Sequence, residues 1–415
     1  MKIVLITSIT PYKENVRGAS ALPYHLLVHR QQVFAQVFSK EDIEIEIFSF
    51  NANKLTLEQI EECRYELNAN IHLMPERAWV KWMFKLHFHP IIRIFMSRPF
   101  SNYIRLCKKE IECIRALRPD GIWVYGEEYS QILSQFSAYR RVLLGPDCET
   151  LYYYRLLGQR FVFGNNLNIF RKFVMYQKYL KLERKFPHAS TITYCVVGEE
   201  DAKFLRRVNP NIQVKFLRHP HYEVSSFKKL SFHIPIRLLI AGQNNYYMRQ
   251  SMDELVKELI LTVDILKKGY EITFLGRGWE NDVKLLKDAG YQVNHIAFAI
   301  DYINEIKNYD IQLTPITIGT GTKGKVLDAL ANGLLVIGTD YALENIAVKN
   351  RISCLRYGTA EEAVALLTEI SYNPHKYEKI AGEGRECVLN YHSRVEISKE
   401  FFNLFSSSYS IGNAK

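Results

Sequence analysis

Hydrophobic residues in the first half of the chain occur in short runs separated by longer segments of mixed polarity. The runs predict buried strands at Lys2–Ser8, Glu44–Phe50, Gly121–Gly126, Arg141–Gly145 and Thr191–Val197. The mixed segments predict helices, including Pro23–Phe38 and Glu199–Val208. Because short apolar strands that alternate with helices form βαβ units, this pattern predicts a parallel sheet.

The second half repeats the pattern more regularly. It predicts strands at Arg237–Ala241, Glu271–Leu275, Tyr291–Phe298, Asp310–Ile316, Leu334–Thr339 and Ser353–Tyr357. It predicts helices at Met252–Lys267, Glu280–Ala289, Asp301–Asn308 and Lys325–Asn332. Between the halves, Pro220, Ser225, Ser226 and Pro235 mark a linker. We therefore predict two doubly wound α/β domains, residues 1–218 and 219–392, followed by a C-terminal segment, 393–415.

The composition is that of a folded protein. Of the 415 residues, 47% are hydrophobic and 24% are charged, which fits two or three domains. The seven cysteines are odd in number and show no CxxC spacing, which disfavours a disulfide framework or a zinc site. The sequence shows neither an uncharged apolar run of about 20 residues nor a secretory signal, so we predict a cytoplasmic protein. The net charge of +10 suits an anionic partner, or equally a solvated surface.

The most informative stretch, residues 314–340, reads TPITIGTGTKGKVLDALANGLLVIGTD. Gly319, Gly321 and Gly324 lie in a loop between a predicted strand and a predicted helix. Glycines there let backbone amides approach a phosphate, and the helix N-terminus adds partial positive charge. The polar side chains of the loop are those of Thr320, Thr322, Lys323 and Lys325. The loop therefore predicts an anion site, most simply for a diphosphate.

Two other motifs overlap this loop. Gly319-x-Gly321-x-x-Gly324 spells the dinucleotide fingerprint, but that fingerprint normally opens its domain, and here three predicted strands precede it. The same letters resemble a P-loop, but Val326 stands where a P-loop needs Ser or Thr for magnesium. An NAD-dependent oxidoreductase and a glycine-rich turn without a ligand remain alternatives at this point.

The segment GTGTKGKVLDALANGLLVIGTD resembles the donor site of GT-B glycosyltransferases of the family 4 / group 1 type. The resemblance covers most of Ile236–Ser393 and continues more weakly through the first half. It implies two Rossmann-like domains facing a central cleft, with a nucleotide-sugar donor on the second domain and the acceptor on the first. It also implies that no metal or other cofactor is needed, since basic side chains and helix dipoles stabilise the leaving diphosphate.

The resemblance carries several donor-site residues over to this chain. Asp328 stands where the family has a ribose-binding Glu, and the other Glu of the family pair is absent near Ile318–Thr320. Two further loops are implied to face the donor, with Gly242, Asn244 and Arg249 beside its phosphates, and Gly276 and Arg277 beside its base. For Arg249 the alternative is a solvated side chain on the first turn of a helix.

The first half contributes fewer candidates. Arg17 and Gly18 lie in a loop similar to the glycine-containing loop of the family, although Ala19 replaces a second glycine. Asp147 follows a predicted strand and is the candidate catalytic carboxylate, either as the base for the acceptor hydroxyl or as a stabiliser of charge on the donor sugar. A helix N-cap is the alternative role for Asp147. We expect His219 and His221, at the domain junction, to border the cleft.

The segment Ala78–Phe100 is rich in aromatic residues and cations. Its aromatic residues are Trp79, Trp82, Phe84, Phe88, Phe95 and Phe100, and its basic residues recur every four positions at Lys81, Lys85, His89 and Arg93. This spacing predicts one polar stripe on a helix that Pro90 should kink or split. Such a composition is typical of an interfacial helix, and packing within its own domain is the alternative.

Together these features predict a metal-independent glycosyltransferase acting in surface polysaccharide or glycoconjugate assembly, with a glycan or lipid-linked acceptor. The protein would be cytoplasmic and peripheral on the inner face of the membrane. An NAD-dependent oxidoreductase and a non-catalytic nucleotide-sugar-binding protein are the alternatives. We expect no nucleic-acid partner, since the basic residues are dispersed and form no long run.

Overall fold

The computed structural model describes residues 1–14, 21–28, 30, 43–87, 89–158, 166–221, 224, 227 and 229–406. Its description of residues 89–91 and 166–167 covers the backbone alone. The chain divides into two compact units. The first comprises Met1–Gly158, Asn165–Pro220 and Arg394–Lys415, and the second contains His221–Ser393.

Within the described residues, the first unit contains a seven-stranded parallel sheet. Its strands are β1 (Lys2–Thr7), β2 (Glu44–Ser49), β3 (Asn70–Leu73), β4 (Gly121–Tyr125), β5 (Arg140–Gly145), β6 (Ile192–Val196) and β7 (Gln213–Phe216). They are arranged in the order β3-β2-β1-β4-β5-β6-β7. The central strands are almost wholly buried because helices cover both faces of a parallel sheet.

The helices of the first unit follow the strands they connect. They are α1 (Ala21–Leu27), α2 (Leu57–Leu67), α3 (Ala78–Lys85), α4 (His89–Phe95), α5 (Lys108–Ala116), α6 (Glu149–Gly158), α7 (Asn166–Glu183), α8 (Glu199–Val208) and α17 (Arg394–Asn403). Two 3-10 helices, Phe100–Tyr103 and Glu127–Phe136, belong to the same unit. Helix α17 packs into this core, where the rings of Phe401 and Trp123 lie 4.6 Å apart.

The second unit, in its described part, contains a six-stranded parallel sheet. Its strands are β8 (Ile236–Ala241), β9 (Tyr270–Leu275), β10 (Gln292–Ile296), β11 (Ile311–Thr314), β12 (Leu335–Gly338) and β13 (Leu355–Arg356). Their order is β10-β9-β8-β11-β12-β13. This is the doubly wound order, in which the chain reverses direction across the sheet between β8 and β11.

The helices of the second unit cover both faces of this sheet. They are α9 (Arg249–Leu261), α10 (Val263–Leu266), α11 (Glu280–Ala289), α12 (Tyr302–Ile306), α13 (Gly324–Ala331), α14 (Asp340–Leu343), α15 (Ala360–Tyr372) and α16 (Glu378–Tyr391), with a 3-10 helix at Pro374–Tyr377. The predicted fold class, α/β with two doubly wound parallel sheets, is confirmed.

Some predicted elements differ from those observed. The helix predicted at Met252–Lys267 is two helices, α9 and α10, because Thr262 leaves helical geometry and its hydroxyl donates to the carbonyl of Glu258 at 2.7 Å. The strand predicted at Ser353–Tyr357 shortens to β13. Helix α1 ends at Leu27, and much of the remaining Pro23–Phe38 prediction lies outside the described residues.

The aromatic segment forms two helices, in agreement with the predicted kink or split of this segment. Helix α3 ends before His87, which has a left-handed backbone (φ +56°), and Pro90 lies in the first turn of α4, where proline is tolerated. The split therefore lies just before Pro90, and Lys81, Lys85 and Arg93 are exposed. Arg93 lies over the rings of Phe84 and Phe100, at 5.5 and 4.5 Å from their centroids. No helix in the described part of the chain combines the length and apolarity needed to cross a membrane.

Candidate functional site

The glycine-rich loop lies where the second sheet changes direction. It follows β11, and the loop after β8 lies against it, since the amide of Thr317 donates to the carbonyl of Tyr247 at 2.9 Å. Ligands of doubly wound sheets bind outside the carboxyl ends of the strands at this reversal. Because β11 is the fourth strand of its unit in chain order, the loop does not occupy the place of a dinucleotide fingerprint, which follows the first strand.

Two glycines give the loop its shape. Gly319 and Gly321 have φ values of +152° and +63°, which favour glycine. A Cβ on Gly319 would lie 3.1 Å from Cε of Lys323. The amino group of Lys323 donates to the carbonyls of Thr320 and Gly321 at 2.8 and 3.2 Å. This lysine therefore lies folded over the loop, with its charge beside two backbone oxygens.

Helix α13 begins directly after this lysine, so the amides of its first turn face the loop. The residue Lys325 is exposed, but its amino group lies 5.2 Å from the centroid of the Tyr302 ring. Desolvation there lowers the pKa of Lys325, and the carboxylate of Asp328 partly opposes this effect. The half-buried side chains of Thr320 and Thr322 complete a concentration of donors suited to a phosphate.

Asp328 is held by a histidine that is distant in sequence. Its Oδ1 lies 3.1 Å from Nε2 of His221, and the side chain of His221 is buried. His219, the other histidine of the junction, belongs to the first unit, where its ring meets that of His25 edge-on at 6.5 Å. The two junction histidines therefore belong to different units, and His221 contacts Asp328 within the second unit.

The loops after β8 and β9 are joined to each other. Gly276 has a φ of +142°, and a Cβ there would lie 2.0 Å from the carbonyl oxygen of Gly242. Asn244 joins the two loops: its backbone amide donates to the carbonyl of Arg277 at 2.9 Å, and its side-chain amide donates to the carbonyl of Gly278 at 2.6 Å. Four predicted donor-site residues, Gly242, Asn244, Gly276 and Arg277, are thus brought together.

Arg249 also lies beside this pair of loops. It is the first residue of α9, and its guanidinium pairs with Asp253 at 2.9 Å and with Asp282 at 3.3 Å. Burial raises the pKa of Asp282, and the charge of Arg249 opposes that rise. The arginine therefore connects α9 to α11, and its charge is already shared between two carboxyl groups.

In the first unit, Asp147 follows β5 and lies among acidic residues from separate elements. Glu127 and Glu128 follow β4, Glu149 begins α6, and Glu183 ends α7. Arg17 and Gly18, the other predicted site residues of this unit, lie outside the described residues. The sequence analysis missed the glutamates because they are far apart in the chain, although the pair Glu127-Glu128 directly after a buried strand was a usable signal.

Two buried carboxylates support the start of α6. Glu183 accepts from the amide of Thr150 at 3.1 Å and from the thiol of Cys148 at 3.4 Å. Asp201 accepts from the amide of Cys148 at 2.8 Å. These acceptors satisfy amides that a helix leaves without intrahelical partners, and they fix the turn that carries Asp147.

Burial raises the pKa of carboxyl groups around Asp147. Burial, followed by the charge of Glu183, raises the pKa of Glu127 well above its usual range. Burial and the nearby charge of Asp147 raise the pKa of Glu149 to about 8. A group with a raised pKa, which holds its proton at neutral pH, therefore lies beside a second carboxyl group, and such a pair can divide proton donation and acceptance between its members.

Solved structures resemble the chain over nearly its whole length. TarM of S. aureus is 10% identical and covers 98% of this chain and 99% of its own, with a TM-score of 0.62. Sucrose-phosphate synthase from Thermosynechococcus elongatus is 12% identical, covers 97% and 98%, and has a TM-score of 0.60. HepE from Anabaena, solved in complex with UDP, is 11% identical, covers 98% and 100%, and has a TM-score of 0.59.

The chain has the GT-B fold.

A sequence comparison adds to this finding. Residues 249–403 match a family model described as glycosyl transferase-like. The match includes the glycine-rich loop, α13 and Asp328. The predicted resemblance to GT-B glycosyltransferases is therefore confirmed. A comparison with curated protein sequences found no match.

The GT-B fold does not by itself assign roles to individual residues, because the solved relatives are 10–12% identical to this chain. Within that fold, the structure brings Lys323, Lys325 and Asp328 to one loop and helix, and it joins the loops after β8 and β9. It places Asp147 in the first unit, among carboxyl groups. The roles of these residues stay predictions.

Proposed function

We propose that this protein is a glycosyltransferase that moves a sugar from a nucleotide donor to a glycan or lipid-linked acceptor, in surface polysaccharide or glycoconjugate assembly. The observation that carries the proposal is the loop Gly319–Lys325, which lies at the reversal of the second sheet and opens a helix. The glycosyl transferase-like match over 249–403 supports the same reading. HepE, which shares the fold, was solved with UDP, so a uridine nucleotide is the first donor to try.

The second unit would bind the donor through its diphosphate. The amides of the first turn of α13 and the amino group of Lys325 supply donors and positive charge. Lys323 would exchange its two backbone carbonyl partners for phosphate oxygens, so diphosphate binding would release the loop from this internal contact. Asp328 would accept hydrogen bonds from the ribose hydroxyls, and Gly276 and Arg277 would lie beside the base.

The first unit would act on the acceptor. Asp147 takes the proton of the acceptor hydroxyl as that oxygen forms a bond to the anomeric carbon of the sugar. The bond between the anomeric carbon and the diphosphate breaks in the same reaction, and the nucleoside diphosphate leaves. A protonated Glu149 beside Asp147 keeps the local negative charge low, because Glu149 holds its proton at neutral pH.

We further propose that the leaving diphosphate is stabilised by Lys323, Lys325 and the dipole of α13 rather than by a metal ion. Within the described residues, no group of three or more His, Cys, Asp or Glu side chains is arranged to hold a metal. Turnover in excess EDTA should equal turnover in magnesium. A strict requirement for a divalent cation would contradict this part of the proposal.

A donor screen tests the function directly. The purified protein is incubated with UDP-, GDP- and ADP-sugars and a mixture of lipid-linked and free glycan acceptors, and released nucleoside diphosphate is measured. We expect release from one nucleotide class, and loss of release in Lys323→Ala/Lys325→Ala. The matched control, Lys284→Ala/Lys287→Ala, removes the same charge from exposed positions of α11 and should leave release unchanged.

Other results would favour other functions. Nucleotide-sugar binding without release would indicate a binding protein that does not catalyse transfer. Tight binding of NADH with no binding of any nucleoside diphosphate would indicate an oxidoreductase.

We propose that the segment Ala78–Phe100 contacts an anionic membrane surface. Three of its aromatic side chains are prominent on the surface: Trp79 is 40% exposed, Trp82 57% and Phe95 83%. Lys81 and Lys85 are exposed on the same helix as the tryptophans. Exposed tryptophan and phenylalanine beside lysine are what an interfacial helix needs. Such contact would bring a lipid-linked acceptor on the cytoplasmic leaflet to the enzyme.

Vesicle co-sedimentation tests this surface. We expect the protein to sediment with phosphatidylglycerol vesicles, and Trp82→Ser/Phe95→Ser to reduce the bound fraction severalfold. The control variant, Tyr65→Ser/Tyr372→Ser, removes rings that are 89% and 73% exposed elsewhere and should bind as the unmodified protein does. Equal binding of all three proteins would remove the membrane contact from the proposal.

A further inference from the structure

His221 and Asp328 form a contact that links the start of the second unit to its glycine-loop helix. The two residues are 107 positions apart, and Nε2 of His221 lies 3.1 Å from Oδ1 of Asp328. The side chain of His221 is 5% exposed, whereas that of Asp328 is 20% exposed. The histidine is thus the inner partner of this pair, and the carboxylate is the partner that solvent, or a ligand, can reach.

The backbone of His221 is fixed by contacts with residues 392 and 393. The amide of His221 donates to the carbonyl of His392 at 2.8 Å, and His221 forms a parallel bridge with Ser393. The ring of His392 is itself tied down, because its Nε2 accepts from the amide of Ala347 at 3.2 Å. The side chain of His221 is buried on this fixed backbone and therefore has few rotamers available.

The carboxylate has a complementary arrangement. Asp328 lies on α13, one turn beyond Lys325, and the next turn of the helix is secured where the side chain of Asn332 donates to the carbonyl of Asp328 at 2.8 Å. Its Oδ1 is engaged by His221, while Oδ2 has no hydrogen bond to any described residue. One oxygen is therefore held and the other remains available as an acceptor.

We propose that His221 is a positioning residue that holds Oδ1 of Asp328, so that Oδ2 accepts hydrogen bonds from the ribose hydroxyls of the donor nucleotide. The inference rests on the proposed function and deepens it by naming the group that sets the ribose contact. The aspartate side chain is short and would otherwise rotate about its own bonds. A buried donor at Oδ1 selects one orientation before the nucleotide arrives, which lowers the entropic cost of binding.

The experiment compares nucleotides with and without ribose hydroxyls. Calorimetry gives the affinity of the full-length protein for UDP and GDP, and for 2′,3′-dideoxy-UDP and 2′,3′-dideoxy-GDP. We expect His221→Ala to weaken the preferred nucleoside diphosphate about tenfold and to leave its dideoxy analogue unchanged, since a lost hydrogen bond to a charged group has about this effect. His221→Gln, which can still present an N–H to Oδ1, should recover most of the loss.

Two further variants separate positioning from a general structural role. His375→Ala removes an exposed histidine of the same unit and should change neither affinity. The preference for the nucleoside diphosphate over its dideoxy analogue should be at least as large in His221→Ala/Asp328→Ala as in Asp328→Ala. The reason is that the effects of residues acting as a unit are not additive. Melting temperatures identify a variant that fails to fold, in which case His221→Gln alone decides the matter.

The outcomes distinguish this inference from the function on which it rests. Equal weakening of both nucleotides by His221→Ala would overturn the positioning role while leaving the donor site in place. Binding of neither UDP nor GDP by the unmodified protein would overturn the proposed function itself, and this inference with it.

Discussion

The glycine-rich loop of the second unit and the acidic strand ends of the first unit occupy equivalent places in their sheets but are built in opposite ways. The loop is one contiguous stretch, Gly319–Lys325, and its groups are amides and lysines. The acidic cluster draws Glu127, Glu149 and Glu183 from three separate helices and Asp147 from the turn before one of them. A site for a ligand that is already charged can be formed by seven neighbouring residues. A site that transfers protons needs carboxyl groups with shifted pKa values, and these depend on burial and therefore on the whole fold.

Burial acts on both regions in the same direction, toward the neutral form of each group. In the loop, desolvation lowers the pKa of Lys325, and the carboxylate of Asp328 partly opposes this effect. In the cluster, burial raises the pKa of Glu149 to about 8, so that the group holds its proton at neutral pH. The two regions therefore differ in how strongly burial shifts the pKa values of their charged groups. The following experiments test that difference.

The largest effect should come from Asp147→Asn. We expect kcat to fall by about 100- to 1000-fold, since general base catalysis contributes on this scale, while affinity for the nucleoside diphosphate stays unchanged. Steady-state kinetics and calorimetry on the same preparation give the two values. The control is Glu112→Gln, which neutralises an exposed carboxylate on α5. Unreduced kcat in Asp147→Asn would remove the acidic cluster from catalysis.

The next effect concerns the loop. Lys323→Ala/Lys325→Ala should weaken UDP binding about 100-fold, because each lysine makes a charge-assisted contact to phosphate. Binding of uridine, which has no phosphate, should be unchanged. Calorimetry with both ligands measures this difference. If UDP and uridine weakened together, the lysines would act on the nucleoside or on the fold, and the comparison with the acidic cluster would fail.

A third effect tests proton retention in the cluster. Below pH 4.5, Glu149 is protonated in both the folded and the unfolded chain. Between pH 4.5 and about 8 the unfolded chain releases this proton while the folded chain keeps it, so the free energy of unfolding falls as pH rises. Glu149→Gln removes this loss. We expect the variant to match the unmodified protein at pH 4.5 and to be more stable by about 2 kcal/mol at pH 8, with neighbouring carboxyls taking up part of the effect.

Urea unfolding at the two pH values measures this difference. Glu112→Gln again serves as the control, since its carboxylate is exposed and should show no such trend. A constant stability difference between Glu149→Gln and the unmodified protein across the range would contradict the raised pKa of Glu149.

The smallest effect distinguishes exposed from buried charge. Raising sodium chloride from 50 to 500 mM should weaken UDP binding by about three- to fivefold, because ions screen partly exposed lysines. The pH dependence of stability due to Glu149 should hardly move, since buried groups are screened much less. Equal sensitivity of both measurements to salt would show that the two regions do not differ in burial as described.

The elements that sequence predicted best are those whose ends carry local signals. Helices Glu199–Val208 and Glu280–Ala289 were predicted with the observed bounds; the first has an acidic first turn and a basic last turn, and Gly290 ends the second. The glycine loop was likewise placed between a strand and a helix. In these cases the residues that determine the structure are neighbours in the chain.

The parts that sequence reasoning missed are long-range. Glu183 meets Cys148 across 35 positions, and His221 meets Asp328 across 107. Neither contact leaves a trace in periodicity or turn composition, because both follow from how distant elements pack. The split of the segment 78–100 was predicted from Pro90, but the left-handed backbone of His87, which lies between the two helices, was not predicted.

The position of α17 bears on how the nascent chain matures. Phe401, Phe402 and Phe405 are buried in the first unit, and a side chain on Gly121 would lie 2.3 Å from the Phe405 ring. Arg140 also donates to the carbonyls of Leu404 and Ser406, at 3.1 and 2.9 Å. The first unit is synthesised mostly before the second, but its core is complete only after residues 394–406 have been made. The second unit can therefore fold before the first.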